Sequence, residues 1–320
     1  MKPGTMTVSF APHIQDSMTI NRIMLDVVIA LTPALIASIY VHRHYAALVV
    51  GVCVASCVFF EWAFEKLLKR KNTVKDLSAV ITGMLLAFCL PFDIPLWQAV
   101  FGSFVAIIFV KQLFGGLGKN FANPAITARI VMLAAFPATM ATWVMPFFDS
   151  DLEAKPFASL TSAELSTLPE VFESFMYIHP LSDYLGEASA LALLIGGAYL
   201  LFRRVITWHI PVTFIGTVFV LTAITGNQPV FQVFSGGLLL GALFMATDYV
   251  TSPLTGRGRI IFGIGAGMLT VLIRLYGTFP EAVSYAILLM NMIVPFINKF
   301  TAHRALGEKR LAEMRRDPRN

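Results

Sequence analysis

The chain is 320 residues long, 57% apolar and only 13% charged, with a mean hydropathy of +0.72 and a formal net charge of +5. A soluble globular domain carries about a quarter charged residues, so this composition excludes one and implies an all-α polytopic membrane protein. The positive balance does not point to nucleic acid, because its distribution follows the two sides of a membrane. The opening stretch, residues 1–20, has no apolar core behind a basic end and predicts no cleaved signal peptide.

A helical span needs about 20 mostly apolar residues. Ten candidates occur, at roughly 21–40, 45–65, 77–91, 95–114, 124–145, 188–203, 209–225, 230–248, 259–276 and 280–297. With the N-terminus inside, ten crossings place every Lys and Arg on the inner side except Arg43, Arg129, Lys155 and Arg274. That asymmetry is the expected one for short connections, so both termini are predicted to be cytoplasmic. Residues 146–187 form one long acidic connection, with eight Asp and Glu against Lys155, and are predicted to lie outside. Long loops of this kind are often functional.

This connection separates a first group of five spans (21–145) from a second (188–297), followed by a basic tail at 298–320. A repeat with an odd number of spans re-enters the membrane in the opposite sense, so the prediction is two inverted five-helix repeats. Short local matches agree. Val110 to Gly115 (VKQLFG) can be set against Ile273 to Gly277 (IRLYG), and Ser78 to Gly83 against Phe234 to Leu239.

Two stretches break the apolar pattern, VKQLFGGLGKNFANPAITA at 110–128 and FSGGLLLGALFMATDYVTSPLTGRG at 234–258. Irregular backbone at membrane depth survives only where protein or a water-filled cavity satisfies its polar groups. Gly83 in the third span and Gly237 in the eighth fall where glycine-interrupted segments mark the central site of inverted-repeat proteins, or where helices pack closely through small residues. Ionisable groups at membrane depth are costly and are therefore candidate functional groups. They are Asp26, Glu61, Arg129 and Asp248, with Lys111 and Arg274 at the interface. For Asp26 and Glu61 an ion pair with Arg129 competes with a role in moving an ion, and for Asp248 a pair with Arg257 or Arg259 does.

Cys53, Cys57 and Cys89 all lie in apolar runs and read as small core residues, so no metal centre is expected. No phosphate loop, zinc-ligand cluster or nucleophile elbow occurs, and no catalytic residue is assigned. The residues alone describe a transporter, a channel or a membrane subunit of a larger machine.

Particular segments carry more. Lys111-Gln112-Leu113-Phe114-Gly115-Gly116-Leu117-Gly118-Lys119-Asn120, followed by Asn123-Pro124-Ala125, resembles the KQLxGGLGxN…NPA signature of the D subunit of the Rnf complex. Asn21 to Met24, Arg204 to Pro211, Ser235 to Thr251 and Arg257 to Gly263 resemble that protein as well, in order and over nearly the whole chain. Its relative is the B subunit of the sodium-translocating NADH:quinone oxidoreductase. The resemblance implies a subunit of a six-protein complex in the bacterial cytoplasmic (inner) membrane. Such a complex passes electrons between ferredoxin and NAD and pumps Na+ or H+, and this subunit is not expected to be catalytic alone. It also implies two inverted five-helix repeats, a flavin electron relay, an FMN esterified to a threonine of the external loop, and a riboflavin near the membrane. Lys111, Gly115, Gly116, Asn123, Thr247 and Asp248 are the candidate cofactor-binding residues, and Asp26, Glu61, Gly83, Gly237 and Asp248 the candidate ion path.

At the FMN position the sequence departs from the family. The best match is Leu160-Thr161-Ser162-Ala163-Glu164-Leu165, with Glu164 where the acceptor threonine is expected. An acyl phosphate on glutamate hydrolyses readily. Either Thr161 or another hydroxyl takes over, or the flavin is held without a covalent bond, or the site is lost. In the last case the chain is a cofactor-free ion-path or scaffold subunit, or a channel-like transporter of the same fold.

Overall fold

A computed structural model describes residues 19–70, 73–140, 184–226, 229–277 and 282–302. Thr161 and Glu164 lie outside the described residues, as does most of the acidic connection. Every regular element among the described residues is helical.

Helix α1 (Ile20–Leu67) starts at Thr19, whose side chain accepts from the Arg22 N–H. Its 48 residues would extend about 72 Å as one rod, over twice the hydrocarbon thickness of a bilayer. The rod is broken at Arg43 (φ 53°, ψ −138°) into two arms that coincide with the first two predicted spans. Helices α1, α10 (Gly256–Tyr276) and α11 (Ala282–Thr301) are each long and apolar enough to cross a membrane. Between them lie shorter apolar helices: α2 (Ser78–Phe88), α3 (Leu96–Phe104, continuing in wider turns through Val105–Gln112), α4 (Pro124–Ala135), α6 (Ala190–Phe202) and α7 (His209–Ile224). A single turn, α5 (Pro137–Met140), follows α4 after a break at Phe136.

The third and eighth predicted spans are the irregular ones. The eleven residues of α2 rise about 16 Å, half a bilayer core. The eighth is split into α8 (Pro229–Phe234), a left-handed pair Gly236-Gly237 (φ 64° and 68°), and α9 (Leu238–Leu240), which widens through Gly241–Met245. Only glycine enters that region without steric cost. Gly83 has the other predicted use. A Cβ there would stand 2.7 Å from the Val54 Cα, so the glycine lets α2 lie directly against the second arm of α1.

The first arm of α1 packs on α6, and the second on α2 and α3. α7 and α10 run side by side in the same direction, with Gly263 and Gly267 of α10 against Thr213 and Thr217 of α7. α11 covers α10 and touches α4, so its buried face closes the first group of helices against the second.

Candidate functional site

Lys111 was expected at the membrane interface, but it is 1% exposed. Such burial is tolerable because its ammonium is paired and hydrogen-bonded: Nζ stands 2.7 Å from Glu61 Oε1 and donates to Ser78 Oγ at 2.6 Å. A buried charge without such partners would cost several kcal/mol. Glu61 Oε1 also accepts from Gln112 Nε2 at 3.1 Å and from the Thr73 hydroxyl at 3.2 Å. One helical turn on, Glu65 takes the Thr73 N–H at 3.0 Å and contacts the same hydroxyl. On the other side Ser78 donates its hydroxyl to Asp76 Oδ1, which also accepts the Ser78 N–H at 2.9 Å. A continuous polar chain therefore runs Asp76–Ser78–Lys111–Glu61–Thr73–Glu65. Glu61 Oε2, buried, has no hydrogen-bond partner among the described residues.

Lys111 and Ser78 also line a cavity of about 100 Å³ between the first arm of α1, the start of α2, the loop before α4 and the turn after α9. Its polar lining is Ser78, Thr82, Lys111, Asn120, Asn123, Thr247 and Asp248, and its walls include Leu85, Ile206 and Phe244. Four residues singled out from the sequence, Lys111, Asn123, Thr247 and Asp248, thus meet at one void. Thr82 and Thr247 return their hydroxyl protons to their own helices, at Ser78 O (2.9 Å) and Leu243 O (2.7 Å). Asn120 Oδ1 is buried, has no partner among the described residues and is an acceptor available in the cavity wall. Gly115 and Gly116, with φ of 113° and 90°, turn the loop between Lys111 and Asn120 but do not line the void.

Asn123 has two roles. Its Oδ1 caps α4 through the N–H groups of Ala125 (3.0 Å) and Ile126 (3.4 Å), with Pro124 at the first helical position. Its Nδ2 donates to Met245 O at 3.3 Å, in the other half of the chain. With the Asn291 amide assigned the orientation that satisfies its neighbours, its oxygen accepts from the Asn123 N–H at 3.2 Å and its nitrogen donates to Thr251 O at 3.1 Å. Sequence reasoning missed Asn291, which is 2% exposed in α11. Its one signal was a lone amide in the apolar run Ile287 to Pro295.

The remaining candidates lie apart from the void or are neutralised differently than expected. Asp26 pairs with Arg203 (3.2 Å) and accepts from the Tyr199 hydroxyl (2.9 Å), not from Arg129. It sits behind the cavity wall formed by Ile23, Met24 and Val27 of the same helix. Asp248 makes no ion pair with Arg257 or Arg259. It accepts from the Thr251 hydroxyl at 3.1 Å and the Val250 N–H at 3.5 Å, while Arg259 turns to Pro253 O and Thr207 Oγ1. Gly237 faces Glu187 and Arg129 at the far end of α9. No group of three or more metal-ligating side chains occurs among the described residues.

Fold and site together define a multi-pass helical membrane protein with a polar cavity and a buried ion pair where its helices are broken. The chain belongs to the NQR2, RnfD, RnfE family, which it matches over residues 7–307. It is 46% identical over 308 residues (96% of this chain, 97% of the relative) to the D subunit of the Na(+)-translocating ferredoxin:NAD(+) oxidoreductase complex of Acetobacterium woodii. Identity is 39% over 332 residues (97% and 98%) to the D subunit of the proton-translocating ferredoxin:NAD(+) oxidoreductase complex of Clostridium ljungdahlii. Against the D subunit of the ion-translocating oxidoreductase complex of Stutzerimonas stutzeri it is 38% over 327 residues (90% and 92%).

Proposed function

We propose that this chain is the D subunit of an Rnf-type complex, a membrane component through which electron transfer between ferredoxin and NAD is coupled to translocation of Na+ or H+. Its partners are the other subunits of that complex and the lipid bilayer. The observation that carries this reading is the meeting of Lys111, Asn123, Thr247 and Asp248 at one cavity, in a chain whose relatives are named as D subunits of ion-translocating oxidoreductase complexes.

The same reading includes ten spans arranged as two inverted repeats in the bacterial cytoplasmic membrane. Both termini are then cytoplasmic and residues 146–187 external. Two matched junctions support it. Leu77 (φ 63°) and Gly237 (φ 68°) are left-handed residues standing immediately before the helices that begin at Ser78 and Leu238. The cation of the following long helix reaches each break: Lys111 donates to Ser78, and Arg274 to Ser235 O (2.8 Å) and Gln232 O (2.5 Å). Lys111 and Arg274 are the pair that the sequence match of the two halves aligns.

A flavin relay completes the reading. The lining is of the kind an amphipathic ring system takes, with apolar walls at Leu85, Ile206 and Phe244 and the acceptor of Asn120. At about 100 Å³ the void is smaller than the roughly 300–1,000 Å³ of ligand sites, so a ring would have to widen it. A bound riboflavin or FMN would supply one- and two-electron chemistry. The protein contributes orientation, exclusion of water and the fixed charge of Lys111. A covalent FMN would rest on Thr161, or on another hydroxyl near Glu164. The test is denaturing electrophoresis of the purified chain under ultraviolet light, beside the flavin spectrum of the intact complex. A fluorescent band, mapped by peptide mass, gives a covalent flavin. A dark band with flavin in the supernatant gives a noncovalent one. No flavin assignable to this chain in either test overturns the relay.

The second reading, a cofactor-free cation path, is favoured by Glu61 Oε2, which has no hydrogen-bond partner among the described residues, and by a second buried carboxylate, Glu65, one turn on and joined to Glu61 through the Thr73 hydroxyl. Here Glu61→Gln should abolish cation uptake into vesicles holding the complex. An unchanged uptake rate eliminates that path.

A further inference from the structure

The ends of four helices meet at one face of the second half. Arg203 and Arg204 close α6, Trp208 and His209 open α7, Arg257 and Arg259 open α10, and Lys299 lies in the last turn of α11. Their convergence is fixed by contacts between the ends. Arg259 Nη1 donates to Thr207 Oγ1 at 3.1 Å, Thr255 Oγ1 to Thr301 Oγ1 at 2.7 Å, and the Leu254 N–H to Asn298 Oδ1 at 3.0 Å. Asp26 compensates Arg203. Arg204, Arg257, Arg259 and Lys299 have no ion pair among the described residues. Around them stand exposed apolar side chains, namely Phe202 (87%), Trp208 (54%), Leu254 (75%) and Phe300 (85%), on or beside helices that bury their other faces in the bundle.

We propose that this face docks anionic phospholipid headgroups. A patch of uncompensated guanidinium and ammonium groups ringed by a tryptophan and phenylalanines matches a headgroup phosphate above acyl chains, because the aromatics occupy the interface while the cations reach the phosphate. An acidic protein segment would also satisfy the charges, but not the exposed Phe202 and Phe300, which belong beside acyl chains. The bound headgroup acts on the cavity as well. Val205 and Ile206, in the turn that follows Arg204, form part of its wall. That turn is held by the Tyr249 hydroxyl on Val205 O and by Arg259 on Thr207. A lipid across Arg204 and Arg257 ties the turn to α10 and braces the wall. The inference concerns the bundle face and stands whether or not the cavity holds a flavin.

The test uses the whole complex, purified through a tag on this chain, delipidated and titrated with phosphatidylglycerol or phosphatidylcholine in mixed micelles. Binding is read by native mass spectrometry and stability by the melting temperature. Wild type should retain phosphatidylglycerol and melt higher with it than with phosphatidylcholine. Each cation near a membrane surface contributes about fivefold in affinity, so Arg204→Gln/Arg257→Gln should weaken retention on the order of 20-fold. Lys66→Gln/Lys69→Gln, at the end of α1 and outside this face, serves as the control and should weaken retention less than Arg204→Gln/Arg257→Gln does; an equal loss would mean surface charge alone and overturn the site. Three further outcomes overturn the proposal: equal retention of both lipids, an unaltered double variant, or reproduction of the thermal shift by inorganic phosphate alone. If Arg204→Gln/Arg257→Gln fails to assemble, Arg204→Lys/Arg257→Lys replaces it, and there retained phosphatidylglycerol supports the proposal while loss of it at intact assembly overturns it.

Discussion

At the scale of single residues, the buried pair of Lys111 and Glu61 governs the site. Removing one partner leaves an uncompensated charge at essentially zero exposure, so Glu61→Leu or Lys111→Met should each destabilise the complex by about 3–5 kcal/mol. The double variant Glu61→Leu/Lys111→Met should recover most of that loss, read as a melting temperature near wild type. If single and double variants melt alike, the two residues do not act as a unit. Asp248 presents the opposite case. Among the described residues it has no cationic partner, and an asparagine keeps an oxygen for the Thr251 hydroxyl. Asp248→Asn should therefore assemble and melt as wild type does while ferredoxin:NAD turnover in membranes falls. Undiminished turnover would remove Asp248 from the site.

Elements report on close packing and on backbone conformation separately. Gly83→Ala drives a Cβ to 2.7 Å from the Val54 backbone, which cannot move without shifting α1. It should cost about 1–3 kcal/mol. Gly116→Ala meets nothing nearer than Gln112 Oε1 at 4.0 Å but keeps a φ of 90°, so its cost is left-handed strain, about 1–2 kcal/mol. Thermal unfolding separates the mechanisms: Gly116→Asn, whose short polar side chain tolerates left-handed backbone, should melt above Gly116→Ala, whereas Gly83→Asn, larger against the same backbone, should melt below Gly83→Ala. Much at this scale was legible in the chain, for physical reasons. Helix positions follow from local hydropathy, which is why the two arms of α1, α10 and α11 fall where the apolar runs predict. Broken helices follow from glycines, as at Gly236-Gly237. Charge partners were not legible. Lys111 reads as interfacial until Glu61, about fifty positions earlier, is brought beside it. Asp26 finds Arg203 rather than Arg129 for the same reason: hydropathy carries no information on which buried charges meet.

For the whole molecule, the decisive property is that its two halves share one set of hydrogen bonds. Asn123 joins Met245 through its side chain and Asn291 through its backbone, and Asn291 continues to Thr251. Asn123→Ala and Asn291→Ala should each destabilise the complex, and a double-mutant cycle in thermal or denaturant unfolding should give a coupling of about 0.5–3 kcal/mol. Additive effects would mean that the halves are merely adjacent. Topology is open to direct measurement. Thiols introduced after residue 70 and in the tail should be labelled only from the cytoplasmic side, and thiols at 150–170 only from outside. Labelling of all three from one side would dismiss the inverted arrangement.

The reach of Asn291 back to Asn123 also has a consequence in time. Helices enter the bilayer in the order of their synthesis, and about 170 residues separate the two asparagines. At ribosomal speeds of about 5–20 residues per second, the loop before α4 waits roughly ten to thirty seconds before its last partner emerges. During that interval the nascent chain carries an N–H group that lacks its final partner. Truncation before α11 should therefore yield a rapidly degraded fragment, so that the last helix certifies the first half as complete.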